Sequence, residues 1–138
     1  MEEGEVAGEI KVTHAGAMKK GSFMIIDGVA CRVTDTQTSK PGKHGAAKAR
    51  IVAVGIFDKK KYPHVSPVSA QIQIPLIDKR VGSVISKTES ITQVMDSETF
   101  EVFDVSQIED EVKDKVAQGQ DVEYWKVMDR TIIVRIKS

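Results

Sequence analysis

Short runs of alternating apolar and polar residues follow one another along most of the chain. In the first half they cover Glu9 to His14, Ser22 to Ile26, Val29 to Thr36 and Ala47 to Phe57. A period of two, rich in β-branched residues, predicts strands. Asp27-Gly28 lies between the second and third runs. This dipeptide favours a two-residue hairpin, because both central positions require positive φ. No stretch before residue 105 carries a helical period.

Pro63, Pro67 and Pro75 crowd one window. Proline disrupts helices and central strands, so the window predicts an irregular connection between two domains, 1–70 and 71–138. Beyond it, apolar Ile72 to Ile77 is followed by strand patterns at Val81 to Ser86, Ser90 to Met95 and Thr99 to Val105, with a hairpin around Asp96-Ser97-Glu98. Ser106-Gln107-Ile108-Glu109 matches a capping box, and Ile108, Val112, Lys115 and Val116 have helical spacing up to Gly119, which predicts one short helix. Val122 to Met128 and Thr131 to Ile136 close the chain as strands. The order predicts an all-β protein: an N-terminal SH3-like barrel, then a C-terminal OB-fold barrel with one short helix.

Composition narrows this picture. Aromatic residues make up only 5% of the chain, so the cores must rest on Val, Ile, Ala and Met. The single cysteine, Cys31, excludes an intramolecular disulfide and suits a reducing cytoplasm. The acidic start, Met1 to Glu5, lacks the basic and apolar regions of a secretory signal. The longest apolar stretch, Ile51 to Phe57, is too short to span a bilayer, so a cytoplasmic protein with no membrane partner is expected. Net charge is zero, but residues 1–70 carry 11 Lys and Arg against 7 Asp and Glu, a net of +4, and residues 71–138 carry 9 against 13, a net of −4. Positive charge is thus confined to one half.

The basic character concentrates in Thr38 to Arg50. From Thr36 to Phe57 there is no acidic residue, yet Lys40, Lys43, Lys48 and Arg50 are present. Strand patterns flank the segment, which predicts a hairpin loop. Lys40-Pro41-Gly42-Lys43 fits a type II turn, with proline at its second position and glycine supplying positive φ at its third. Gly45 adds a second flexible point, leaving Lys43 and His44 at an exposed tip suited to an anionic partner. Gly42-Lys43-His44-Gly45 spells the GXXG of KH domains, but that clamp joins helices. The P-loop spacing is missing, and a strand follows where its helix would begin.

Ser39-Lys40-Pro41-Gly42-Lys43-His44-Gly45-Ala46-Ala47-Lys48 closely resembles the hypusine loop of the archaeal and eukaryotic translation factor 5A family, the counterpart of bacterial elongation factor P. The resemblance extends to Asp27 to Arg32, Ala53 to Phe57, Ile74 to Asp78 and Gln93 to Asp96. It implies a non-enzymatic translation factor with no bound cofactor. Lys43 would receive an aminobutyl group from spermidine through deoxyhypusine synthase. Ser39, Lys40, Pro41, Gly42, His44, Gly45, Lys48 and Arg50 would form the loop facing RNA. The partners implied are the ribosome and peptidyl-tRNA in the P site, where the modified lysine promotes slow peptide bonds, notably at consecutive prolines. Pro41 and Ala46 stand where eukaryotic members usually have Thr and His, which points to an archaeal member. Members of that kind stop at deoxyhypusine or continue to hypusine.

Competing readings of the residues are weaker. His14, His44, His64 and Cys31 match no zinc spacing. Lys43 as a catalytic amine would need desolvation that a loop tip does not provide. Tyr124 and Trp125 offer a base-stacking platform to a general single-stranded RNA-binding protein, the alternative function, but strand alternation turns one of them to the core. Lys59-Lys60-Lys61 reads equally as a solvated turn or an RNA contact. The acidic stretch Glu109 to Asp114 disfavours RNA on its face.

Overall fold

A computed structural model describes residues 10–39 and 47–137. Among these the chain forms twelve β-strands and no α-helix; its helical element is a 3-10 turn at Ala15–Ala17. The chain divides between Leu76 and Ile77 into two compact units.

The first unit contains β1 (Ile10–His14), β2 (Phe23–Ile26), β3 (Val29–Ser39), β4 (Lys48–Gly55), β5 (Lys61–Pro67) and β6 (Gln71–Pro75). Strands β2-β3-β4-β5 form an antiparallel sheet in sequence order, and β1 pairs antiparallel with β6. Asp27 and Gly28 join β2 to β3 with φ of 52° and 79°, the two positive values that their turn demands. Alternation drives Ala49, Ile51 and Ala53 of β4 into a core with Met24, Cys31, Val33 and Ile72, while Lys48 and Arg50 face solvent. Burying a side chain such as Ile51 or Met24 contributes about 1.5–3 kcal/mol. This core has the Val, Ile, Ala and Met character that the scarcity of aromatics implies.

The proline window is not irregular. Pro63 and Pro67 lie in β5, and Pro75 ends β6. Strand β5 is an edge, bonded only to β4. The Lys60 carbonyl accepts from the Gly55 N–H and the Val68 N–H donates to the Ala47 carbonyl, so the even-numbered residues turn their backbone groups to β4. Those of residues 63, 65 and 67 face away, where proline's missing donor costs no ladder bond. Residues 71–75, placed after the 70/71 division by the sequence pattern, belong to the first unit because β6 pairs with β1, from Ile10 opposite Pro75 to His14 opposite Gln71.

The second unit contains β7 (Ile77–Lys87), β8 (Thr92–Asp96), β9 (Val102–Asp104), β10 (Gln107–Ile108), β11 (Asp121–Val127) and β12 (Arg130–Ile136), in the sheet order β10-β12-β11-β7-β8-β9. The terminal members, β9 and β10, are one stretch of chain interrupted by Val105 and Ser106. On one side the Val105 N–H donates to the Thr92 carbonyl; on the other the Glu109 N–H donates to the Ile133 carbonyl. The sheet therefore closes on itself as an OB-type barrel around Val84, Val94, Val122, Tyr124 and Ile133. Where β7 crosses β8, a Cβ on Gly82 would lie 2.5 Å from Val94 Cγ1 and 2.8 Å from the Met95 carbonyl oxygen, so a side chain there would force the strands apart.

The expected helix after Ser106 does not form. Ser106 and Thr131 instead bond reciprocally: the Ser106 N–H donates to Thr131 Oγ1 at 3.1 Å and the Thr131 N–H donates to Ser106 Oγ at 3.2 Å. The capping oxygen is thus consumed by barrel closure. Residues 110–115 form turns, and Val112 and Val116 still pack on the core at helical spacing.

Candidate functional site

The site is built on the β3–β4 hairpin. A bulge between Val33 and Asp35 resets its register, after which Asp35 faces Val52, Gln37 faces Arg50 and Ser39 faces Lys48. The Thr34 hydroxyl donates to the Val52 carbonyl at 3.1 Å beside the irregularity. Ser39 and Lys48 are the last described rung before residues 40–46.

Backbone from three other places holds the base of this rung. Strand β5 pairs with β4 as far as Lys48 opposite Pro67, and the Val68 N–H extends the pairing to the Ala47 carbonyl at 2.9 Å. The Val68 carbonyl accepts from the Gly16 N–H, and the Ala70 carbonyl accepts from the Ala15 N–H, each at 2.9 Å. The 3-10 turn thus braces the segment that braces the hairpin. Beneath lie Ala49 and Ala15, each about 1% exposed. These bonds fix the Lys48 side of the rung.

Ser39, Lys48 and Arg50 are exposed at the end of the hairpin, and the register places them on one face. Lys40, Pro41, Gly42, Lys43, His44 and Gly45 lie outside the described residues. The same face continues across β5 through Val65, 53% exposed, flanked by Pro63 and Pro67. The sequence reading missed this neighbour because it took the proline window for a linker.

The other candidates resolve differently. Cys31 is buried, and burial first, with Asp58 and Asp27 adding to it, pushes its thiol up to about 11, so it is a core residue. Tyr62 donates its hydroxyl to Asp58, whose carboxyl also accepts the Lys60 N–H at 2.9 Å; these bonds fix the turn holding Lys59 and Lys60. Tyr124 is buried in the second barrel against Phe103, with ring centroids 4.9 Å apart. Trp125 is 8% exposed; its indole N–H donates to Glu123 and Lys79 Nζ lies 5.0 Å from its ring centroid. Neither ring offers a face to a base.

A polar group that sequence patterns did not reveal lies inside the second barrel. Asp96, 1% exposed, accepts from Arg80 Nε at 2.6 Å and from the Tyr124 hydroxyl at 2.5 Å. It also accepts from the N–H groups of Glu98 and Thr99. The Arg80 guanidinium, followed by the Tyr124 hydroxyl and these N–H groups, holds the Asp96 carboxyl far below the usual range against its burial. Asp96 is thus the anchor of the β8–β9 turn.

Comparison with known proteins supplies the family context. Residues 9–70 match the family described as translation initiation factor 5A-like, N-terminal. A translation initiation factor 5A from Thermococcus gammatolerans is 47% identical over 134 residues, covering 95% of this chain and 98% of its own. One from Methanococcus maripaludis is 48% identical over 128 residues, covering 93% and 96%. Among solved structures, the eukaryotic translation initiation factor 5A from Methanococcus jannaschii superposes with a TM-score of 0.87 at 36% identity, over 98% of this chain and 100% of its own. A family member from Naegleria fowleri superposes with a TM-score of 0.73 at 28% identity, over 94% and 99%.

Proposed function

This chain belongs to the translation initiation factor 5A family, and from that premise we propose that it acts at the ribosome through a modified Lys43. It is a translation factor; the proposal concerns how it works. Deoxyhypusine synthase transfers an aminobutyl group from the secondary nitrogen of spermidine to Lys43 Nζ, with 1,3-diaminopropane leaving, giving deoxyhypusine or, after hydroxylation, hypusine. Five added bonds lengthen the side chain by roughly 6 Å and bring a second amine. Such a thin cationic arm reaches phosphates that a protein backbone cannot approach.

The observation that carries this reading is the braced rung of Ser39 and Lys48, from which the acid-free segment 40–46 departs. A fixed base and a cationic arm suit the orientation of a bound peptidyl-tRNA. Orientation alone is worth several kcal/mol to a reaction, with no proton transfer by the factor. The cytoplasm, where ribosomes and spermidine meet, is its place of action. The alternative, a general single-stranded RNA-binding protein using the second barrel, loses its aromatic platform because Tyr124 and Trp125 are both buried.

The test is reconstituted translation of a message encoding consecutive prolines, with modified protein, unmodified protein and Lys43→Arg. Arginine keeps the charge but cannot accept the aminobutyl group. Only the modified protein relieves stalling on this reading. Equal relief by Lys43→Arg would replace it with simple electrostatic RNA binding.

A further inference from the structure

The β8–β9 turn of the second barrel presents an aromatic ring that folding does not use. Phe100 is 68% exposed. Its φ is 63°, in the left-handed region that favours glycine and disfavours a residue with a bulky side chain. A ring both exposed and held in an unfavourable backbone conformation gains nothing from the core. The turn that carries it is firmly held: the Phe100 N–H donates to the Asp96 carbonyl at 2.9 Å, and the Asp96 N–H donates to the Glu101 carbonyl at 2.8 Å. Buried Asp96 is in turn fixed by Arg80 and Tyr124. The backbone that carries the ring is therefore fixed, so binding costs only the two side-chain torsions of Phe100 in ordering.

Its surroundings select the partner. Val102, 50% exposed, and half-buried Met95 are paired across the hairpin, and the Val81 carbonyl accepts from the Ser97 N–H in the turn, so apolar residues adjoin the turn that carries the ring. Charge nearby is acidic. Glu98 is 82% exposed at the side chain, and Glu101 and Asp104 are exposed. The cation closest to the turn, Arg80, is held by Asp96, Asp78 and Glu98. Phosphates would be repelled here. A guanidinium would stack on the ring face, drawn by its negative quadrupole, and meet carboxylates at its edge.

We propose that Phe100 is the anchor of a docking surface for an arginine-bearing segment of a protein partner, with Glu98 and Glu101 as its acidic rim. This surface lies in the second unit and is independent of Lys43 and its modification.

The experiment uses the full unmodified chain and a fluorescein-labelled arginine–serine repeat peptide, read by anisotropy at low salt, beside a labelled single-stranded RNA oligonucleotide. Glycine is at ease at positive φ, so Phe100→Gly, and Phe100→Asn as a second variant, should keep or raise the melting temperature. Each should weaken peptide binding about tenfold, the weight of one well-placed anchor. Glu98→Gln with Glu101→Gln should weaken it and flatten its salt dependence, and RNA binding should be unchanged by all of these. Wild-type protein that fails to bind the peptide, or Phe100→Gly that binds it as well as wild type, would overturn the proposal. Loss of RNA rather than peptide affinity in Phe100→Gly would also overturn it and make the ring a base-stacking surface.

Discussion

Arg80 Nε lies 2.6 Å from Asp96 Oδ2, joining strand β7 to the end of β8 inside the second barrel. Asp96 is nearly inaccessible, so its charge is tolerated only because five donor groups from four residues meet it. Asp96→Ala should cost about 1–3 kcal/mol, because it leaves the Tyr124 hydroxyl and the Glu98 and Thr99 N–H groups without an acceptor while Arg80 keeps Asp78 and Glu98. The pH dependence has a definite sign. A carboxyl depressed in the folded state adds stability that is fully present above its unfolded value of about 3.9 and is lost as pH falls toward the folded value. Chemical denaturation between neutral pH and about pH 2 should show that loss in wild type and a smaller one in Asp96→Asn.

Both tyrosines donate their hydroxyls to aspartates, Tyr62 to Asp58 and Tyr124 to Asp96. The bond to Asp58 is the main cause that pushes Tyr62 up to about 12, and burial followed by Asp96 pushes Tyr124 higher than a free phenol. An ultraviolet titration should therefore show little phenolate near pH 10, where unfolded tyrosine is half ionised. Adding denaturant at that pH should release the phenolate absorbance of both residues.

Cys31 gives a third readout. With its thiol pushed up to about 11 by burial, almost no thiolate exists at pH 8. Thiol-specific reagents should label it only through opening of the first unit. Labelling should accelerate with denaturant in step with unfolding, and a rapid burst in the native state would contradict this packing.

Lys48 and Arg50 project from the face opposite Ala49 and Ile51. Reversing both charges, Lys48→Glu with Arg50→Glu, should change stability by only about 0.5 kcal/mol per site. On the proposed function, ribosome binding measured by sedimentation should weaken and lose part of its salt dependence, as it does when cations of a phosphate-binding surface are removed.

Legibility from the sequence followed the range of the interactions. Asp27-Gly28 was plain because a two-residue turn depends on its own φ values. The basic stretch from Ser39 to Lys48 stands out in the sequence because its chemistry is contiguous, and of it Ser39, Ala47 and Lys48 lie among the described residues. Ser106 misled because its local partner, the nearby backbone, lost to Thr131, 25 residues away. Pro63 and Pro67 misled because a strand tolerates proline according to which side is paired, and pairing is a tertiary fact. The Arg80, Asp96 and Tyr124 group had no signature, since its members are 16 and 28 residues from Asp96 and only the barrel unites them.

The outward-facing backbone of β5 has a consequence for self-assembly. An open sheet edge recruits a neighbouring molecule's strand through its row of free N–H donors, and repetition of that step nucleates fibres. At the four outward positions of this edge, two are prolines, so only Lys61 and Val65 supply donors. The second unit, closed into a ring, turns β9 and β10 into one continuous seam instead of two loose borders. Protection against polymerisation thus takes two forms here, a β5 edge with half of its outward donors removed and a β9–β10 stretch that serves both ends of the second sheet.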